Sequence, residues 1–167
     1  SQESVPAPSP GLMPATVPAA FTPTIAGTRV ESIAQVGNQL VIGGVFNSVG
    51  GSARTGLAAF NATTGALTTG FNPVVTGRVV AVIPGPTPGT VYAAGTISKI
   101  GTTVVSKIAL LNLTTGALVP GFKAPTINGS VQDLVLRGGR LFVGGAFTTV
   151  GGSPRGGLAT LNATTGA

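Results

Sequence analysis

Glu3, Glu31 and Asp133 are the only acids in this 167-residue chain, which contains neither histidine nor cysteine. Hydrolysis by paired carboxylates needs two of them about 5–10 Å apart, with pKa values driven in opposite directions. Glu31 and Asp133 have similar surroundings, the alternating stretches VESIAQV and VQDLVL, but these belong to separate, non-adjacent units of the chain. The two are therefore not expected to share a site. An oxygen-lined calcium cage wants several acidic ligands, and without cysteine there is no disulfide, thiolate metal site or cysteine nucleophile. Serines and lysines occur without a Ser-x-x-Lys signature or a base partner. The expectation is a chain that is not an enzyme, with no catalytic residue, metal or cofactor.

Other polar residues recur at fixed places. Arg54 and Arg155 follow GGSA and GGSP. They could meet anionic groups on a rim, or bond loop carbonyls and lock a joint; recurrence within a repeat favours the lock. Asn61, Asn112 and Asn162 open Asn-x-Thr-Thr-Gly segments ending in Gly65, Gly116 and Gly166. Asn accepts from backbone amides two residues on and Gly supplies positive φ, so these read as hairpin turns. They also match the glycosylation sequon, as does Asn128, but a turn accounts for the first three. A sugar site would need stacking rings, and the chain has no Trp and only Tyr92.

The net charge is +6, carried by nine scattered basic residues. Nucleic-acid binding would call for a basic stripe or interleaved aromatics, so that partner is not expected. Weak attraction to anionic cell-surface material is the electrostatic expectation. No apolar run reaches the roughly 18 residues of a membrane helix. The start at Ser1, with no Met, fits a mature, processed N-terminus.

What positions these residues is a repeat. Leu40–Ala66, LVIGGVFNSVGGSARTGLAAFNATTGA, returns at Leu141–Ala167 with 18 of 27 positions identical, and a diverged copy occupies Val91–Ala117. A fixed period of this size marks repeat architectures. Residues 1–20 hold five prolines without alternation and read as an extended arm or linker. Residues 21–71, 72–122 and 123–167 are three units, with Phe21-Thr-Pro, Phe71-Asn-Pro and Phe122-Lys-Ala-Pro in register.

Each unit predicts four short strands. The first is alternating (Val30–Val36, Val79–Ile83, Val131–Leu136) and is followed by a tight turn, which in the middle unit becomes the Pro84–Gly89 loop. The second is a continuous apolar run (Leu40–Phe46, Val91–Ile97, Leu141–Phe147), expected to be buried on both faces. Gly43, Gly44, Gly144 and Gly145 within it are expected to let neighbouring sheets meet closely. A third strand leads to the Asn turn, and a fourth runs from there to Phe71 or Phe122. The fold class is all-β, with about three four-stranded β-propeller units, incomplete as a single chain.

Units of the form apolar-GG-x-F-x-x-V-G-G-x-x-R-x-x-L-A-x-x-N-A-T-T-G-A-L, followed by F-N-P and G-x-V, resemble the delta-60-type β-propeller repeats of secreted bacterial proteins. They are more distantly similar to kelch-like repeats. The resemblance covers everything after the arm. The middle unit departs from it at Thr102 and Val105, where the others have glycine and arginine. It implies a propeller outside the cell or at its surface, often as one module of a larger protein, and no shared activity. The expected function is a non-catalytic binding or structural module, or alternatively a self-assembling subunit. Partners would be other copies of the chain or further blades of a longer one. Ala167 falls inside the third Asn hairpin, and Leu12–Pro23 could supply the strand that would follow it. A longer chain, a six-bladed ring of two copies and a head-to-tail filament all remain open.

Overall fold

A computed structural model describes residues 23–167, all of whose regular elements are β. The first sheet is built from β1 (Ile25–Val36), β2 (Gln39–Val49), short β3 (Ser52–Ala53) and β4 (Leu57–Asn61). The second has β5 (Val75–Thr76), β6 (Val79–Pro84), β7 (Thr90–Ile100) and β8 (Thr103–Asn112). The third has β9 (Ser130–Arg137), β10 (Arg140–Ala146) and β13 (Leu158–Asn162), while β11 (Thr149–Val150) and β12 (Ser153–Pro154) pair as a small ribbon. All pairings are antiparallel, and β2, β7 and β10 are central, flanked by the strands before and after them. Turn chemistry sets this order. Gly138 and Gly139 take φ of 59° and 73°, the two positive values that a type I′ hairpin requires.

The register is the same in each sheet. Gly43, Ala94 and Gly144 lie opposite Ser32, Ala81 and Asp133, and Gly44, Gly95 and Gly145 opposite Val30, Val79 and Val131. Between these two pairs the first strand slips by one residue, a β-bulge repeated three times.

The sheets stack in chain order, β6 packing on β1 and β2, and β9 on β6 and β7. One apolar layer joins Val41, Leu57 and Ala59 to Val79, Val82, Ala93 and Phe71. A second joins Tyr92, Ala94, Ile108 and Leu110 to Val131, Leu134, Val143 and Ala159. Alternating first strands and apolar second strands thus make propeller blades face to face.

Two expectations change. The fourth strand of a unit is reduced to single bridges, Phe60 with Leu67 and Leu111 with Leu118, because the chain turns away at Thr68-Thr69-Gly70 and Val119-Pro120-Gly121. Burial on both faces holds along most of β2 and β7 but not in β10, where Leu141 and Val143 are buried and Phe142 is 37% exposed. Among the described residues no sheet packs on that face. The Pro-rich arm, Phe21 and nearly all of Leu12–Pro23 lie outside the described residues. The middle unit also carries a departure of its own. Lys107 adopts φ 69° where Gly56 and Gly157 take 79° and 80°, the one non-glycine residue with positive φ among those described.

Candidate interaction surfaces

The paired glycines have two different jobs. Gly43 faces the next blade: a Cβ there would meet Val79 Cγ1 at 2.5 Å and Val82 Cγ1 at 3.0 Å. Gly44 and Gly145 face their own sheet, where a Cβ would run into the backbone carbonyls of Arg29 and Ser130. Among the described residues Gly144 joins no blades, since the nearest atom to its Cβ position is Gly157 O, at 4.0 Å. The contact that crowds Gly43 has no counterpart around Gly144.

The two arginines also part company. Arg54 is buried and its guanidinium donates to Ala53 O (2.7 Å) and, at the limit of hydrogen bonding, to Thr69 O (3.5 Å), while its Nε has no protein partner. Arg155 donates to the equivalent Pro154 O at 2.7 Å, yet its side chain lies exposed. Arg54 is thus turned inward onto backbone of its own unit, and Arg155 is the one of the pair that solvent anions reach.

The Asn turns are three copies of one structure. Asn61 Oδ1 accepts from Thr63 N and Thr64 N, both at 2.9 Å. Asn112 does the same with Thr114 N (2.8 Å) and Thr115 N (3.1 Å), and Asn162 with Thr164 N and Thr165 N (2.9 Å each). Gly65, Gly116 and Gly166 close each turn with φ of 73°, 73° and 79°. The side-chain carbonyl of each Asn is spent on its own backbone.

Tyr92 lies fully buried in β7, so its ring is closed to a stacking sugar. Its hydroxyl donates to Ala163 O, in the Asn turn of the next repeat, and its ring meets Phe122 edge-on with centroids 5.5 Å apart. Burial pushes the phenol up to about 12. The protonated phenol is the form the fold favours, so its contribution is complete below pH 10 and lost as pH rises through about 12. Because Tyr92 is the only tyrosine, the phenolate absorbance of the folded protein is expected to rise near pH 12 and to shift towards 10 on unfolding. A folded-state midpoint near 10 would contradict the burial.

The carboxylates serve the blades. Glu31 accepts from Arg29 on its own strand and, across the first joint, from Arg78 Nη2 at 2.8 Å. The hydrogen bond from Arg29 holds its carboxyl below the usual range, with Arg78 adding to the effect against partial desolvation. Asp133 Oδ1 accepts from Leu134 N at 2.9 Å. The two carboxylates stand on β1 and β9, with β6 packed between those strands, so the structure does not bring them together.

One feature was not legible in the sequence, an open groove of about 700 Å³ between the turns of the first two units, lined by Asn38, Gln39, Thr68 and Thr114 among others. Its polar groups are partly paired already, Asn38 with Thr63 and Gln39 with Thr68. Only the folded joint brings these four positions to one surface.

Stacked antiparallel blades on a common repeat define a β-propeller protein. A family model described as a beta-propeller domain of unknown function (DUF5122) matches residues 139–166, within the third unit. Among solved structures the chain is similar to the computationally designed Ika4 protein, at 14% identity and a TM-score of 0.56, over 84% of this chain and 69% of that one. It is also similar to the computationally designed Ika8 protein, at 14% identity and a TM-score of 0.55, spanning 84% of this chain and 35% of that one. At such identities the likeness is one of fold. No curated protein matches the chain.

Proposed function

We propose that this chain is a non-catalytic β-propeller module, binding or structural in role, that works outside the cell or at its surface as part of a larger protein or assembly. The observation that carries the reading is how many of the candidate polar groups the fold itself engages. Arg54, the three turn asparagines, Tyr92 and Glu31 are all engaged by the repeat's own backbone or by a neighbouring blade. A chain whose polar groups are spent on joints and turns is left with its surface as what it presents to a partner. The exposed cations Lys99, Arg137, Arg140 and Arg155 suit weak contact with anionic cell-surface material.

Polygalacturonate beads, with neutral dextran beads as control, test that contact. Retention on the anionic beads alone is expected at low salt and should vanish by about 0.5 M, where the screening length falls below about 5 Å. Equal retention on both would remove the electrostatic reading. Turnover of any substrate that Glu31→Gln or Asp133→Asn abolishes would overturn the non-catalytic one.

A further inference from the structure

Among the described residues two faces stand open, and they are the separated halves of a joint the chain already makes twice. On the leading face of the first blade Val30 and Ile33 are 43% and 63% exposed. Their register counterparts, Val79 with Val82 and Val131 with Leu134, are buried against the preceding blade. On the trailing face of the third blade Phe142 is 37% and Leu158 64% exposed, and Gly144 is open. Their counterparts, Val41 with Leu57 and Tyr92 with Ile108, are no more than 1% exposed.

Polar groups follow the same scheme. Across the first joint Val82 N donates to Ser32 Oγ at 3.1 Å, and Arg78 reaches Glu31. Asp133 stands where Ser32 does, opposite Gly144 as Ser32 is opposite Gly43. Arg29 precedes Val30 as Arg78 precedes Val79. An acid thus stands on one open face, and on the other a half-exposed cation that Glu31 of its own strand engages through Nε. Elsewhere on the leading face Ile42, Ala58 and Phe60 are already buried with Phe46 and Val49. The stripe left open belongs to β1, and first strands are the ones that carry the internal contacts between blades.

We propose that the trailing face of the third blade receives the first blade of a second copy of this chain. Val30 and Ile33 of that copy seat over Gly144, Phe142 and Leu158, its Ile33 N–H donates to Asp133, and its Arg29 supplies the facing charge. The contact is head to tail, so each copy offers one face of each kind. This deepens the module reading and rests on it, by naming the partner.

Light scattering on the 167-residue chain tests the pairing. The wild type should scatter at twice the 16.2 kDa chain mass or a higher multiple, and Ile33→Asp and Leu158→Asp should each scatter as monomers. Both substitutions fall on side chains exposed in the monomer, so cooperative melting of each variant shows that it still folds. Mixing the two variants is the decisive arm: one keeps the trailing face intact and the other the leading face, so together they should form a particle of two chains and stop. A cooperatively melting wild type that stays monomeric at about 100 µM, or variants that remain monomers when mixed, would overturn the pairing and leave the module reading standing. Substrate turnover lost on Glu31→Gln would instead sink the module reading, whatever the mass.

Discussion

Replacing Tyr92 by alanine should lower stability by about 3–5 kcal/mol, the usual cost of emptying a buried aromatic site. The ring fills the joint between the second and third blades, and its hydroxyl pins the third Asn turn through Ala163 O. In a chain of this size each kcal/mol moves the melting temperature by about 2–4 °C, so a fall on the order of 10 °C is expected in a thermal melt. Tyr92→Phe keeps the ring and loses only the hydrogen bond, at about 0.5–1.5 kcal/mol. Equal melting temperatures for Tyr92→Ala and wild type would show that the joint does not depend on this side chain.

Valine should have unequal effects at two positions that the sequence makes equivalent. Gly43→Val drives a branched side chain into Val79 and Val82, an overpacking that costs about 1–3 kcal/mol. Gly144→Val, in dilute monomer, enters open space and should change the melting temperature little. Measured side by side at low concentration, equal losses would mean that Gly144 is packed after all.

The contrast marks the limit of what the sequence could say. The 50-residue period and the Asn-x-Thr-Thr-Gly turns were enough to read all-β blades, since a fixed turn chemistry and an apolar pattern together set register. Residue type alone could not tell Gly43 from Gly144, or Arg54 from Arg155. For the glycines the difference lies in whether another blade stands against them, and that is a property of position in the stack. Tyr92 was legible as a rare aromatic but not as a buried one, because its partner Ala163 lies 71 residues away. The fourth strand is shorter than the repeat pattern implies. Val119-Pro120-Gly121 and Thr69-Gly70 end pairing after one bridge, and proline and glycine there spoke against a regular strand.

Lys107 gives the middle unit a separate significance. A left-handed lysine carries a strain of about 1–3 kcal/mol that glycine at the same place does not. The pairing of β7 with β8, Ile97 opposite Lys107 and Ala94 opposite Ile108, holds the residue in a shape its side chain disfavours. Backbone geometry at this place is dictated by the surroundings rather than by residue type: the middle unit lacks the glycine of the other two and keeps the same left-handed turn. Among the described residues this strain sits in the unit with a blade packed on each side, and the first and third units keep glycine at that place.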